Sequence, residues 1–357
     1  MIKTEYNIIA LMSGTSLDGI DIIYVHFFYD NQWEFKIHNA ETLKYPKQWK
    51  LTLSQLVAMP MHQLKQVDSE YSEYLANVIS DFINKNAIQT IDFIASHGHT
   101  ALHQPENGLT YQIGNQQILA DKLNHKVICD FRVQDVEFGG QGAPLVPIGD
   151  QLLFKDYDYC LNLGGFANIS FELNKERIAF DICPVNIVLN HYVSKINLDY
   201  DHKGQLAATG HINNDLLCQL NELQFYKELP PKSLGLEWVE QTIFPLMDSY
   251  KLQIKDLLRT YIEHIAVQIS KIVRQENSKV LVTGGGVYNE FLMQRIQGLS
   301  NSEVIMPNNK IVEFKEALIF GLLGVLKARN EVNCLMSVTG AERNHSSGKI
   351  LIPKINY

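Results

Sequence analysis

Several glycine-rich stretches and a few isolated acids in this chain are suited to handling phosphate and activating a hydroxyl. Ser13-Gly14-Thr15-Ser16-Leu17-Asp18-Gly19 lies between the apolar runs 8–12 and 20–28. Glycines at such a turn allow unusual backbone angles and let a ligand lie against backbone N–H groups. The hydroxyls add donors for phosphate oxygens. Asp18 and Asp21 are hard oxygen donors of the kind magnesium takes. The plain alternative is a polar hairpin, because short Gly/Ser/Asp turns are common. Asn162-Leu163-Gly164-Gly165-Phe166 offers a second close approach of backbone to phosphate, or again a simple hairpin. Thr283-Gly284-Gly285-Gly286 follows a buried-type strand and precedes a helix, where a ring or ribose can lie on the backbone and a helix N-terminus favours phosphate. It is neither a Rossmann nor a Walker fingerprint, so alone it is a weak nucleotide signal.

Other residues offer proton chemistry and polar recognition. Asp181 follows a strand and precedes Pro184, so it is either a helix cap or a base that takes a proton from a hydroxyl or water. Cys183 has no basic partner nearby in sequence, which makes it the weaker candidate. Glu316, near the start of a late helix, is a second carboxylate. Asp130, Arg132 and Asp135 precede the glycine loop 139–142 and suit hydroxyls or a carboxylate; the alternative is a structural ion pair. His97 and His99 flank Gly98 before Thr100, with spacing that suits hydrogen bonding to a polar substrate better than a metal.

These residues need a scaffold. Period-2 and short apolar runs predict strands at 6–12, 20–28 and 34–41, helices at 47–58 and 61–85, a strand at 91–96, a helix at 116–123 and a strand at 126–129. The second part repeats the theme. It has strands at 157–163, 168–173 and 177–180, and helices at 185–195, 212–223, 236–248 and 254–275. A strand at 279–282, a helix at 289–299, a strand at 303–306 and a helix at 315–327 complete it. Two similar α/β domains are expected, with sites at strand ends and in a cleft between them. The expected domains are 1–128 and 129–335, with 336–357 returning to the first.

The 357 residues are 46% hydrophobic, enough for two full cores. A formal net charge of -8 argues against non-specific nucleic-acid binding and against an anionic membrane surface. No apolar run approaches the roughly 18–20 residues of a membrane span. Residues 1–6 are charged and polar, so no signal peptide is expected. The five cysteines are scattered and lack C-x-x-C spacing, which favours neither zinc nor a disulfide framework. A reduced, cytoplasmic protein is expected.

In combination the motifs resemble the anhydro-N-acetylmuramic acid kinase family, within the actin, hexokinase and heat-shock chaperone superfamily. The stretches that carry the resemblance are 11–21, Ser-His-Gly-His-Thr at 96–100, Gln-Ile-Gly-Asn at 112–115 and Asp-Phe-Arg at 130–132. Those at 139–147, 162–168, 284–286 and Ser-Val-Thr-Gly-Ala at 337–341 follow in family order. The resemblance implies two ribonuclease-H-like, actin-like ATPase domains around a central ATP cleft. It implies that water opens the 1,6-anhydro bond of the sugar and that O6 takes the γ-phosphoryl group of ATP, giving N-acetylmuramic acid 6-phosphate in cell-wall recycling. Asp181 matches the family's base, and Glu316 a carboxylate near the sugar. Gly14, Thr15, Ser16, Leu17, Asp18, Gly19, Ile20 and Asp21 match the phosphate loop. Gly164, Gly165, Gly284, Gly285 and Gly286 are the other expected ATP contacts, with Mg2+ on Asp18 and Asp21. His97, Thr100, Asp130, Arg132 and Asn186 are the expected sugar contacts. The expected partners are the amino sugar and ATP, with no nucleic acid and no membrane; a homodimer is a permitted assembly.

The chain departs from the family pattern beside the base. Cys183 and Val185 replace two glycines, and bulk there is expected to narrow the site or alter its backbone. Leu236 stands where a basic residue is usual, and Ile148-Gly149-Asp150 replaces an aromatic and a histidine. A kinase for another sugar or anhydro-sugar, and an ATP-binding regulator without transfer, are the competing readings.

Overall fold

The computed structural model describes residues 3–14 and 17–354; Thr15 and Ser16 of the expected phosphate loop lie outside the described residues. The chain divides into two compact units, Met1–Leu153 with Phe314–Tyr357, and Phe154–Glu313.

In the first unit, β1 (Glu5–Ser13), β2 (Ile20–Asp30) and β3 (Gln32–Leu43) form an antiparallel meander. β4 (Phe93–Ser96) pairs parallel with β1. β5 (His99–Gln104) and β6 (Leu109–Ile113) form a separate hairpin. β7 (Val127–Cys129) then pairs parallel with β4. The sheet order is β3-β2-β1-β4-β7, the ribonuclease-H-like arrangement.

Ile8, Ile9, Ala10 and Leu11 of β1 are all buried because helices cover both faces of the sheet. Helix Met61–Lys85 packs Tyr71, Leu75 and Ile79 into the cluster containing Ile9 and Leu11. Helix Asn309–Ala328 lies close on the other face through Gly321 and Gly324. A Cβ on these glycines would come within 3.0 Å of the Ala10 Cβ and 2.9 Å of the Ala95 Cβ.

That packing places the division at 153 and 313, where the repeat of elements suggests 128 and 335. Residues 314–328 complete the first core, although they follow the second unit in sequence. The C-terminal strand Lys349–Leu351 pairs antiparallel with β7 and extends the same sheet.

The second unit repeats the topology. β8 (Tyr159–Leu163), β9 (Phe166–Leu173) and β10 (Glu176–Pro184) are antiparallel. β11 (Lys279–Thr283) pairs parallel with β8, and β12 (Glu303–Ile305) with β11. The order is β10-β9-β8-β11-β12. Its core gathers Leu161, Ile169 and Ile182 of the sheet with Val188 of helix Asn186–Ser194 and Ile262 and Ile265 of helix Ile254–Ile272. Among the described residues no helix is long and apolar enough to cross a membrane.

Candidate active site

In the second unit β10 continues past the expected end at 180 and reaches Pro184. Asp181 therefore lies inside a strand and caps no helix. The register slips between Asp181 and Cys183, so Ile182 is the extra residue of a β-bulge. Bulges re-aim side chains next to functional sites. Here Asp181 stays half-buried while Ile182, Cys183, Pro184 and Val185 are all buried. Of the two effects expected of Cys183 and Val185, a narrowed site is corrected, because both side chains are fully buried in the hydrophobic core of this unit.

Two backbone bonds clamp the acid. Leu234 N–H donates to Asp181 Oδ2 at 2.8 Å, and Asp181 N–H donates to Lys232 O at 3.1 Å. Lys232 is itself anchored, its Nζ donating to Phe225 O at 2.9 Å. Burial pushes the Asp181 carboxyl above its ordinary range, and the Leu234 N–H opposes this in part. A carboxyl raised by desolvation is a stronger proton acceptor when ionised. Burial pushes the Cys183 thiol far up, so it is no thiolate nucleophile.

The glycine stretches of this unit meet at the ends of β8 and β11. Gly284 has φ +85°, and a Cβ there would lie 2.5 Å from Asn162 Oδ1 and 2.8 Å from the Leu163 backbone. A Cβ on Gly286 would lie 2.7 Å from the Leu163 Cβ, whereas one on Gly285 would meet nothing within 4 Å. Gly284 and Gly286 serve close packing, and Gly285 leaves an open surface. Gly165 O accepts from Val185 N–H at 2.7 Å, and Gly164 O from Asn186 N–H at 3.3 Å. Asn186 Nδ2 donates to Leu163 O at 3.4 Å. Gly164, Gly165, Gly284, Gly286 and Asn186 thus form one wall next to the strand that carries Asp181.

In the first unit the turn after β1 has Leu17 at φ 58°, with Leu17 N–H donating to Gly14 O at 3.4 Å. Gly19 sits against β3, where a Cβ would lie 2.6 Å from Leu43 O. Asp18 is exposed. Asp21, opposite Met12 in the β1–β2 ladder, accepts from Thr42 Oγ1 at 2.6 Å.

His97 and Arg132 come together. His97 Nδ1 is 2.9 Å from Gly98 O, which can only accept, so Nδ1 carries the hydrogen and Nε2 accepts from Arg132 Nε at 2.8 Å. Burial and the neighbouring Arg132 push His97 well below its ordinary value, in keeping with a neutral ring. Arg132 Nη1 also donates to Gly142 O at 2.6 Å. Glu316 lies well inside the helix Asn309–Ala328. Desolvation raises its carboxyl, Arg132 and Lys315 oppose this, and Asp21 reinforces it. Asp21, Arg132 and Glu316 therefore share one electrostatic field.

Asp130 and Thr100 are the other expected sugar contacts in this unit. Asp130, at φ 59°, pairs its carboxylate with Lys349 Nζ at 2.5 Å. Thr100 sits in β5 opposite Gln112. Asp135 is wholly buried and turned into the protein.

Sequence reasoning missed two supporting networks. Ser13 Oγ meets Tyr45 OH at 2.5 Å and His99 Nδ1 at 2.8 Å, and Tyr71 OH donates to it at 3.3 Å, which fixes the start of the turn from below. Burial lowers His99 to about 4. Asp68 accepts from Gly114 N–H at 2.7 Å, from Tyr111 OH at 2.6 Å and from the Gln116 amide. Its signal was a lone acid in the apolar stripe Leu64, Tyr71, Leu75 of its helix.

A family model described as anhydro-N-acetylmuramic acid kinase matches residues 6–353. The anhydro-N-acetylmuramic acid kinase of Zymomonas mobilis is 31% identical over 368 residues, covering 96% of this chain and 98% of that protein. That of Shewanella denitrificans is 33% identical over 368 residues, with 96% and 97% coverage. That of Haemophilus influenzae is 30% identical over 379 residues, with 98% of each chain covered. With a family match over nearly its whole length and the repeated topology described above, the chain belongs to the anhydro-N-acetylmuramic acid kinase family.

Proposed function

We propose that this protein is an ATP-dependent kinase that opens the 1,6-anhydro ring of anhydro-N-acetylmuramic acid with water and phosphorylates O6. Asp181 takes a proton from water as the water oxygen bonds to C1. The C1–O6 bond breaks, and O6 bonds to the γ-phosphorus of ATP as ADP leaves. The products are N-acetylmuramic acid 6-phosphate and ADP. A carboxylate on the face opposite the leaving oxygen suits an inverting attack. A separate general acid is unnecessary if O6 passes directly to phosphorus.

The observation that carries this reading, beside the family match, is the bulge-borne carboxylate of Asp181. It is clamped by Leu234 and raised by burial, so it is fixed in place and basic enough to accept a proton. Phosphoryl transfer asks mainly for positioning and charge neutralisation. Gly285 and the wall formed by Gly164, Gly165, Gly284 and Gly286 supply a surface on which backbone can approach a nucleotide. Asp18 and Asp21 offer hard oxygens that fit magnesium, which when bound would neutralise triphosphate charge. Arg132, held in place by neutral His97, is assigned to hydrogen bonding of the sugar, with Glu316 as a second carboxylate.

The test is to incubate the protein with ATP, magnesium and anhydro-N-acetylmuramic acid in oxygen-18 water and follow the products by mass. One heavy oxygen at C1 of a sugar phosphate, with ADP formed in equal amount, is the expected result. A phosphorylated sugar with its anhydro ring intact overturns the coupled mechanism. Absence of ADP overturns the kinase reading.

A further inference from the structure

Residues 135–142 and 334–345 clasp each other within the first unit. Gln141 N–H donates to Thr339 O at 2.8 Å, and Glu342 N–H to Phe138 O at 2.9 Å. Between them lie Asp135, Cys334 and His345, exposed by only 0%, 1% and 6%. Their ligating atoms all fall within 4.8 Å of one another. Asp135 Oδ1 is 3.0 Å from Cys334 Sγ, 2.7 Å from Thr339 Oγ1 and 3.6 Å from His345 Nε2. The other carboxylate oxygen accepts from Gly142 N–H at 2.7 Å.

The histidine is the informative member. Its Nδ1 lies 3.0 Å from Arg343 O. A carbonyl oxygen only accepts, so Nδ1 carries the hydrogen, and in the neutral form of the ring the electron pair of Nε2 turns inward. That atom is buried, and no hydrogen-bond partner among the described residues reaches it. An imidazole electron pair and a carboxylate oxygen facing each other away from water repel unless a metal cation or a proton sits between them. An Nδ1–H bonded to a backbone carbonyl is also the usual outer contact of a metal-bound histidine.

We propose that Asp135 Oδ1, Cys334 Sγ and His345 Nε2 bind one zinc-class divalent cation. Sulfur and imidazole together select zinc over magnesium or calcium, which prefer oxygen ligands. Binding forms a metal–thiolate bond at Cys334, and the thiol proton leaves to solvent. Three protein ligands leave a fourth position for water or the Thr339 hydroxyl. The ion would tie the C-terminal segment to the loop ending at Gly142, whose carbonyl accepts from Arg132. The site is separate from the residues assigned to catalysis, so it stands or falls independently of the proposed reaction.

The test uses the full chain without a histidine tag, produced with zinc in the growth medium and dialysed before elemental analysis. One zinc per chain is expected. After chelation, wild-type protein reloaded with cobalt should show thiolate-to-metal charge-transfer absorption. Cys334→Ser should abolish that band, and His345→Ala should weaken zinc binding by about 100-fold or more. Added zinc should raise the unfolding temperature of the chelated wild type and leave that of Cys334→Ser unchanged. If the variants do not fold, the wild-type stripping and reloading decides alone. Substoichiometric metal together with no zinc-dependent shift overturns the site and leaves a cluster in which a proton lies between His345 and Asp135.

Discussion

Replacing Asp181 by asparagine should separate catalysis from folding at a single group. The amide oxygen can still accept the Leu234 N–H bond that Oδ2 accepts at 2.8 Å, so the loop at 232–235 keeps its anchor. What disappears is the base. Assistance by a positioned base is worth about 10²–10⁴ in rate, or about 2.7–5.5 kcal/mol of barrier. Turnover should fall by that factor, with KM for ATP within about twofold of wild type. Stability should move the other way. Burial raises the Asp181 carboxyl above its ordinary 3.8, so the folded chain holds this proton more tightly than the unfolded chain. The stabilisation from that proton is fully present below the unfolded value and lost as pH rises through the folded one. At neutral pH the ionised, partly desolvated carboxylate is therefore a net cost that the amide removes. Asp181→Asn should melt at the wild-type temperature or higher at neutral pH, and this advantage should vanish below 3.8. Coupled ADP assays and calorimetric melting across pH measure both quantities, and the acid limb of wild-type turnover should lie above 3.8. Turnover within tenfold of wild type, or a parallel loss of turnover and melting temperature, would refute the reasoning and make Asp181 structural.

Gly284→Ala forces a Cβ to 2.5 Å from Asn162 Oδ1 at φ +85° and should destabilise by about 1–3 kcal/mol in denaturant titration. Gly285→Ala meets nothing within 4 Å and should change stability by less than about 0.5 kcal/mol; equal losses at both positions would contradict the packing. His97→Phe removes the acceptor for Arg132 Nε and should cost about 1–3 kcal/mol by leaving that donor unsatisfied, with a higher KM for the sugar. Asp68→Ala strands the Gly114 N–H and the Tyr111 hydroxyl and should cost about 3 kcal/mol or more in the same titration. Omitting magnesium from the assay should abolish turnover, and adding magnesium should leave the melting temperature of the nucleotide-free chain unchanged.

Local pattern sufficed for much of the molecule. Apolar periodicity placed the helix Met61–Lys85 and the strands of both meanders, because a half-buried strand or helix face imposes its own spacing on the side chains. The glycines at 164–165 and 284–286 and the acid at 181 stood out as candidates as well. Small residues and a lone carboxylate beside apolar runs are chemically distinctive without any partner. The hairpin His99–Gln104 with Leu109–Ile113 escaped notice, since its short strands are interrupted by polar residues.

Only the tertiary structure decided what depends on residues distant in sequence. Glycines 321 and 324 assign the helix Asn309–Ala328 largely to the first sheet, because close approach to Ala10 and Ala95 joins residues far apart in the chain and is invisible in a local window. A bulge at Ile182 sends Cys183 and Val185 into the core and leaves Asp181 accessible; one extra residue in a strand changes every facing that simple alternation would assign. Asp130 is paired with Lys349 of the C-terminal strand, and Asp135 is buried between Cys334 and His345, so neither acid's role could be read from its neighbours. The cysteines lacked the spacing of a metal site along the chain, while the fold brings Cys334 to His345 nearby in sequence and to Asp135, 199 residues away. Composition and spacing determined which chemistry the chain can offer. Long-range packing decided which groups face one another, because burial and pairing are set by the folded core.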